Sequence, residues 1–165
     1  MIKLIVLDVD GTLSDGTITY TNEGEESKSF NVKDGLALAS WTKKFGKKAL
    51  IITGRSSKIV EKRAHDLGIK YVFQGIKDKV YVLDDFLKKN NISWDEIACI
   101  GDDLNDYAML KKAGFSFCPA DASHYIKDLV KIVCKSNGGE GAVREMMEEV
   151  FRNEKLEEEF LNLWQ

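Results

Sequence analysis

The feature that most constrains this chain of 165 residues is an apolar run that ends in two spaced carboxylates. Ile2–Leu7 has the composition of a buried strand, and the sequence Asp8-Val9-Asp10-Gly11-Thr12 follows it. Residues i and i+2 of extended backbone point to the same side, and open α/β sheets bind ligands beyond the carboxyl ends of their strands. Two acids in an apolar setting are costly to desolvate without a cation or a proton. The pattern therefore predicts a metal site and acid chemistry rather than packing.

Short apolar runs alternate with helical patterns along the rest of the chain, and no linker or internal repeat interrupts them. This alternation predicts an α/β fold, a doubly wound parallel sheet in one domain of residues 1–165. We predict strands at Ile2–Leu7, Ala49–Thr53, Tyr71–Phe73, Ile97–Ile100, Phe115–Phe117 and Ile132–Cys134, and helices near Gly35–Phe45, Ser57–Leu67, Lys79–Asn90, Leu104–Ala113, Ser123–Leu129 and Gly141–Phe151.

Residues 17–30 break the alternation. The run Thr17–Thr21 is β-branched and aromatic, and Asn22-Glu23-Gly24 has the composition of a turn, so the segment Thr17–Phe30 predicts a β-hairpin. An isolated hairpin is only marginally stable in water. We therefore expect it to pack against a neighbouring subunit.

Composition excludes several classes of function. The chain has 24 Lys and Arg against 27 Asp and Glu, and no basic stripe that would indicate nucleic-acid binding. No apolar run approaches the ~20 residues of a membrane span, and Met1 leads directly into a core strand without a signal peptide. Three cysteines without metal spacing, Cys99, Cys118 and Cys134, indicate buried free thiols. We expect a cytoplasmic protein that binds neither membrane nor nucleic acid.

Three further motifs follow in order: Ile51-Ile52-Thr53-Gly54-Arg55, then Lys79 at the end of Gly75–Lys79, then Gly101-Asp102-Asp103-Leu104-Asn105-Asp106. Together with the first motif they resemble the four motifs of the haloacid-dehalogenase (HAD) superfamily of phosphohydrolases. The resemblance implies a Rossmann-like phosphoric monoester hydrolase. Many members carry a cap domain near the hairpin position or between the second and third motifs, but residues 17–52 and 54–78 leave no room for one.

The chemistry of phosphate esters assigns roles to four of these residues. Asp8 is the predicted nucleophile, which would form an aspartyl-phosphate, and Asp10 is the general acid and then the general base. Thr53 would donate its hydroxyl to a phosphoryl oxygen, and Lys79 would offset the developing charge. Two alternatives remain open at this stage: Thr53 could cap the next helix, and Lys79 could be an ordinary surface lysine.

The same carboxylates predict the metal. Mg²⁺ would be held by Asp8, by the backbone carbonyl of Asp10 and by Asp102, because a hard cation that keeps waters needs few protein ligands. Asp106 follows Asp102 by one helical turn, and we predict that it supports the metal ligands without contacting the metal itself. We predict the same role for Asp103, although a direct contact of Asp103 with the metal remains open.

A narrower resemblance rests on Ser14-Asp15-Gly16, Phe30–Gly35, Phe73-Gln74-Gly75 and Gly138–Glu145. These segments look like the 3-deoxy-D-manno-octulosonate 8-phosphate phosphatases. That family implies a capless, Mg²⁺-dependent homotetramer in lipopolysaccharide precursor synthesis, in which hairpins associate and a neighbour's C-terminal segment covers the site. In this chain the tail is residues 136–165, and its glycines indicate either a flexible loop or amides that approach an anion.

A sugar acid phosphate has two anionic ends, and two arginines could receive the carboxylate end. Arg55 and Arg63 offer planar forks, although a surface-only role for Arg63 remains open. The predicted substrate-binding residues are Asp10, Asn31, Lys33, Asp34, Gly35, Gly54, Arg55, Arg63 and Lys79. Relatives that act on nine-carbon sugar acid 9-phosphates typically carry Glu at the position of Arg55, so Arg55 favours the eight-carbon substrate.

Two alternatives to this function remain. One is a phosphatase for a nine-carbon sugar acid 9-phosphate. The other is a non-catalytic module that binds a sugar phosphate or supports oligomerisation. The second predicts a broken catalytic motif, whereas the carboxylates, the threonine and the lysine of all four motifs are present here.

Overall fold

The computed structural model describes all residues 1–165, and its centre is a parallel sheet of six strands. The chain contains eight strands: β1 Leu4–Leu7, β2 Thr19–Tyr20, β3 Glu26–Ser27, β4 Lys48–Ile52, β5 Tyr71–Phe73, β6 Ile97–Ile100, β7 Phe115–Cys118 and β8 Ile132–Val133. Their order in the main sheet is β5-β4-β1-β6-β7-β8, and every neighbouring pair is parallel. The predicted doubly wound α/β fold is confirmed.

Helices cover both faces of this sheet. They are α1 Val32–Ala39, α2 Lys58–Asp66, α3 Lys79–Asn90, α4 Tyr107–Lys112, α5 His124–Lys127, α6 Ala142–Asn153 and α7 Glu157–Asn162, with a π-helical turn at Ser40–Lys44 and 3₁₀ turns at Trp94–Glu96 and Leu104–Asp106. None of them is both long enough and apolar enough to cross a membrane.

The largest boundary error of the sequence prediction concerns α1. The predicted helix Gly35–Phe45 begins three residues earlier, at Val32, because the side chain of Asn31 accepts hydrogen bonds from the first-turn N–H groups of Lys33 and Asp34. Its second half is π-helical from Ser40. Asparagine is a strong N-cap, so the sequence itself contains the signal for this helix start.

The core has two halves, one on each face of the sheet. All four residues of β1 are buried; Ile5 and Leu7 point into one half and Leu4 and Val6 into the other. One half is closed by the apolar faces of α1 and α6, and the other by α3 and α4. The three cysteines are buried and free, as predicted. Because β1 lies in the middle of the sheet, the residue that follows it enters the centre of the strand-end crevice.

The hairpin is present but short. Its strands β2 and β3 pair antiparallel through Thr19 with Ser27 and Tyr20 with Glu26, and both are largely exposed. No cap domain interrupts the chain between the strands of the main sheet. No inserted domain therefore covers the edge of the sheet at the strand carboxyl ends.

Candidate active site

Two acidic motifs meet where the adjacent strands β1 and β6 end. Asp8 directly follows β1, and Asp102 follows β6 after one glycine. Carboxylate oxygens of Asp8, Asp102 and Asp106 all lie within 4.8 Å of one another. Parallel neighbours end at the same edge of a sheet, and this register brings together acids that are far apart in sequence.

Lys79 contacts two of these three carboxylates, those of Asp8 and Asp106. It is the first residue of α3, which Asp78 caps, and its side chain is 2 % exposed. Its Nζ lies 2.7 Å from Oδ1 of Asp8 and 2.6 Å from Oδ1 of Asp106. Burial lowers the pKa of Lys79, but the two carboxylates raise it more, so the net pKa lies above its usual value. The alternative of an ordinary surface lysine is wrong.

Asp106 anchors the loop that carries Asp102. While its Oδ1 accepts the Lys79 contact, its Oδ2 accepts from the backbone N–H of Asp102 at 3.0 Å. Asp103 is exposed, and its Oδ1 accepts from the N–H of Leu104 at 2.8 Å. Asp106 thus lies within 4.8 Å of the oxygens of Asp8 and Asp102, the two carboxylates predicted to hold the metal. Both of its carboxylate oxygens already accept hydrogen bonds, one from Lys79 and one from the N–H of Asp102, so Asp106 supports these two residues.

The donor set fits a hard divalent cation. Three carboxylates surround a single ammonium here, and two of the three, Asp8 and Asp106, are buried. Burial, and then the charge of Asp106, raise the pKa of Asp8 well above its ordinary value. Burial and the neighbouring carboxylates raise the pKa of Asp102 to about 7. A cation among these oxygens would offset both effects, and oxygen donors suit Mg²⁺.

Thr53 lies at the end of β4, next to β1 in the sheet, and is buried. The helix that follows it, α2, begins at Lys58 and is capped by Ser57, whose Oγ accepts from the N–H of Ile59 at 3.2 Å. The alternative in which Thr53 caps this helix is therefore wrong. Gly54 and Arg55 follow it on the exposed side of the strand end.

Four of the predicted substrate-binding residues form a network inside the protein. The Nη2 of Arg63 donates to the carbonyl oxygen of Asn31 at 3.0 Å, and its guanidinium lies over Gly35, where a Cβ would come within 2.5 Å of Nη2. Asp34 is 1 % exposed and accepts from the N–H of Arg144 at 2.8 Å. Arg63 is therefore not a simple surface residue.

Burial raises the pKa of Asp34 to about 6, against the hydrogen bond from Arg144 and the charge of Arg63, which lower it. Its Oδ2 and the Nε of Arg63 are buried without a partner. Lys33, in contrast, is exposed and borders a cavity of about 460 Å³ together with Arg144. The contacts of Asn31, Asp34, Gly35 and Arg63 hold the hairpin exit against α2 and α6, and a role in substrate binding stays a prediction.

The glycine-rich loop of the tail packs on the first motif of its own chain. The N–H of Gly139 donates to the carbonyl oxygen of Thr12 at 3.1 Å, and the N–H of Gly138 donates to Oδ1 of Asp121 at 2.9 Å. A Cβ at Gly138 would lie 1.9 Å from the carbonyl oxygen of Gly11. This loop is a packed support of the first motif rather than a free linker.

Comparison with known proteins agrees with this geometry. Residues 73–147 match the family model of haloacid dehalogenase-like hydrolases. The 3-deoxy-D-manno-octulosonate 8-phosphate phosphatase KdsC of Escherichia coli K12 is 42 % identical over 146 residues, which cover 88 % of this chain and 77 % of the relative. The chain belongs to the family of 3-deoxy-D-manno-octulosonate 8-phosphate phosphatases.

Solved structures of similar phosphatases extend the comparison. The Moraxella catarrhalis enzyme, crystallised with magnesium, phosphate and KDO, has a TM-score of 0.95 at 40 % identity and covers 99 % of this chain and 94 % of its own. The cobalt-bound phosphatase of Haemophilus influenzae has a TM-score of 0.88 at 36 % identity, over 94 % of this chain and 91 % of its own.

Two residues near the site of this phosphatase were not among the site residues predicted from the sequence. Thr12 is fully buried and donates its hydroxyl to Oδ1 of Asp102 at 3.3 Å. Lys28, from the hairpin, forms ion pairs with Asp10 and Glu26. Thr12 belongs to the first motif and could have been assigned from it. For Lys28 the only signal was its alternation with Glu26 along a strand, which does not reveal the partner.

Proposed function

We propose that this phosphatase hydrolyses 3-deoxy-D-manno-octulosonate 8-phosphate to the free sugar acid and phosphate, with Mg²⁺ as its metal, as a step in lipopolysaccharide precursor synthesis. The observation that carries this proposal is the contact of Lys79 with Asp8 and Asp106 beside Asp102. A buried ammonium among three carboxylates at the strand ends suits phosphoryl transfer. The proposal also draws on the likeness to a phosphatase crystallised with magnesium, phosphate and KDO.

The first chemical step belongs to Asp8. An oxygen of its carboxylate attacks phosphorus in line, the bond from phosphorus to the sugar oxygen breaks, and an aspartyl-phosphate forms. Lys79 holds the Asp8 carboxylate at 2.7 Å and supplies positive charge beside the transferring group. Asp8, the backbone carbonyl of Asp10 and Asp102 would hold Mg²⁺, which would supply the remaining positive charge.

Asp10 then carries the proton. As a general acid it gives a proton to the departing sugar oxygen, and as a general base it takes one from the water that attacks the aspartyl-phosphate. Water attack breaks the bond between phosphorus and the Asp8 oxygen and restores the free carboxylate. Asp10 is partly exposed, as a group that meets the leaving group and water must be. Thr53, buried at the end of the neighbouring strand, is proposed to donate to a phosphoryl oxygen.

Arg55 is proposed as the receiver of the substrate carboxylate. Its side chain is half-exposed at the mouth of the site, and Nη2 donates to the hydroxyl of Tyr20 at 3.0 Å. This contact leaves other N–H groups of the guanidinium free for a carboxylate. We propose Gly54 as a neighbouring contact, and Lys33 as a more distant one.

The test is a phosphate-release assay with Mg²⁺ over a panel of sugar phosphates. We expect the highest kcat/KM for the eight-carbon acid 8-phosphate, a lower value for nine-carbon acid 9-phosphates, and the lowest values for neutral sugar phosphates of similar size. A higher kcat/KM for a nine-carbon acid 9-phosphate would show that the enzyme is a phosphatase for that substrate instead. Absence of phosphate release from the whole panel would contradict phosphatase activity itself.

We further propose that the enzyme is a cytoplasmic homotetramer built through its hairpins. The strands β2 and β3 are exposed, and Tyr20 and Val32 present apolar surface beside them. Light scattering at micromolar concentration tests the assembly: a tetrameric mass is expected, and a monomer would contradict the proposal.

A further inference from the structure

One face of the hairpin carries three side chains that meet the active site. Glu26 and Lys28 alternate along the chain and so project to the same side, and Tyr20 is the cross-strand partner of Glu26. These side chains contact Asp10 and Arg55, which come from loops at the strand ends of the main sheet. The hairpin therefore reaches the catalytic edge through a polar face.

Lys28 is the most buried member of this face. None of its side-chain surface is exposed, although it stems from a hairpin that is itself largely open to solvent. Its Nζ forms an ion pair with Oδ1 of Asp10 and lies 2.8 Å from Oε1 of Glu26. Ordering and burying a lysine side chain is unfavourable. The carboxylates of Asp10 and Glu26 offset that penalty. Because they also neutralise the ammonium, Lys28 is not available to bind an anionic group of the substrate.

Glu26 connects Lys28 to the other side of the site. Its Oε2 lies 3.6 Å from Nη2 of Arg55, and the same nitrogen donates to Tyr20. The chain of contacts thus runs from Asp10 through Lys28 and Glu26 to Arg55. The proposed general acid and the proposed carboxylate receiver are joined through the hairpin.

We propose that Lys28 is a positioning residue for Asp10. Its ammonium contacts Oδ1 of Asp10 and so orients the carboxyl group, whose other oxygen, Oδ2, carries the proton that goes to the leaving oxygen; Glu26 holds the ammonium in place. The inference rests on the proposed function, because it gives Asp10 the role of general acid. Lys28 acts through Asp10 and does not bind the phosphoryl group.

The leaving group provides the test. An alkoxide from a sugar needs a proton as it departs, whereas p-nitrophenolate does not. Lys28→Met keeps the length of the side chain and removes its charge. We expect its kcat/KM on the sugar phosphate, which reports the steps up to formation of the aspartyl-phosphate, to fall by about 10²-fold, the size of effect that a small misplacement of a catalytic group produces. Its kcat/KM on p-nitrophenyl phosphate should change only a few-fold.

Two comparisons make the test specific. Lys28→Arg retains a cation and should recover part of the loss on the sugar phosphate. Ser27→Ala alters the exposed neighbour on the opposite face of β3 and should leave both substrates unaffected. Adding Lys28→Met to Asp10→Asn should lower kcat little further, because a residue that acts through Asp10 has nothing left to position.

Other results would overturn the inference. Equal losses on both substrates, accompanied by a lower melting temperature or a changed mass in light scattering, would show that Lys28 only docks the hairpin. A rise in KM confined to the sugar acid would make Lys28 a substrate ligand. If the effects of Lys28→Met and Asp10→Asn on kcat were fully additive, the two residues would act independently, and Lys28 would not act through Asp10. If the wild-type enzyme does not hydrolyse the octulosonate phosphate, the substrate proposal is wrong but the role of Lys28 can still be tested. The comparison with p-nitrophenyl phosphate is then made with the best alkyl phosphate of the panel.

Discussion

Gly11 passes directly beneath the carboxylate of Asp102. A Cβ atom on Gly11 would lie 2.0 Å from Oδ2 of Asp102, well inside van der Waals contact. The φ angle of Gly11 is also +92°, in the region that favours glycine. The glycine of the first acidic motif therefore makes room for the acid of the last one, 91 residues later in the sequence.

Gly11→Ala should abolish activity and Mg²⁺ binding, because the added methyl group would displace Asp102. The matched control is Gly24→Ala in the hairpin turn, which has a similar φ of +84° and no neighbouring atom within 4 Å of the added Cβ. Both substitutions introduce backbone strain of order 1 kcal/mol. Phosphate release and Mg²⁺ titration should separate them, and equal behaviour of the two variants would refute the steric argument.

Asp8→Asn should eliminate turnover while the fold persists, since an amide does not form the aspartyl-phosphate. Asp10→Asn should lower kcat by roughly 10²–10⁴-fold, the usual contribution of a general acid and base. Asp85→Asn, on the exposed side of α3, serves as a control and should retain activity. Steady-state kinetics together with circular dichroism measure these effects. Substantial phosphate release by pure Asp8→Asn protein would remove the nucleophile assignment.

Removal of the metal should inactivate the enzyme reversibly. EDTA should stop phosphate release, Mg²⁺ should restore it, and Ca²⁺ should substitute poorly because it prefers more ligands and a looser geometry. Mg²⁺ at about 100 times its Kd should also stabilise the folded state by about 2.7 kcal/mol. Calorimetry should detect that shift in the wild-type protein and not in Asp102→Asn. Full activity after exhaustive chelation would exclude the metal site at Asp8 and Asp102.

Arg55→Ala should raise KM for the sugar acid phosphate far more than for a small neutral aryl phosphate. The lost charge-assisted hydrogen bonds are worth about 1.5–3 kcal/mol, or about tenfold to over a hundredfold in KM. Lys58→Ala removes an exposed cation three residues further on, at the start of α2, and is the control for general electrostatic attraction. Equal losses on both substrates would assign Arg55 to the phosphate or to the hairpin.

Asp34→Asn should change the pH dependence of stability. Because the pKa of Asp34 is raised in the folded state to about 6, the protonated form is favoured there. The stabilisation it provides is present below the ordinary pKa of 3.8 and is lost as pH rises through about 6. At ~1.36 kcal/mol per pKa unit, the variant should gain up to about 3 kcal/mol relative to wild type above that range.

Urea denaturation at pH 4.5 and 7.5, in EDTA, measures this difference in the free energy of unfolding. The other buried carboxylates titrate in both proteins, so their contribution to the free energy of unfolding cancels when the two proteins are compared at the same pH. A constant difference across the two pH values would show that Asp34 is ionised in the folded protein throughout.

The sequence by itself determined the fold and the centre of the site. Alternating apolar runs and helical patterns specify a parallel sheet, and an acid that directly follows such a strand must lie at its carboxyl end. For that reason Asp8, Thr53 and Asp102 could be placed at one edge from their local motifs alone. Lys79 was placed by its motif. Asn31 caps α1, a local signal that the predicted helix start at Gly35 leaves out, and its role in substrate binding stays a prediction.

Only the tertiary structure decided the contacts between distant segments. Two oxygens of Asp106 hold Lys79 and the Asp102 loop, Arg63 bonds to the carbonyl of Asn31, and Lys28 reaches Asp10 across the hairpin. Such pairings depend on how the helices and strands pack. They also depend on side-chain rotamers, because a buried charged group must adopt one that reaches a partner. A local sequence pattern specifies the direction of a side chain along a strand or helix, but the partner it meets is set by the three-dimensional arrangement of the whole chain.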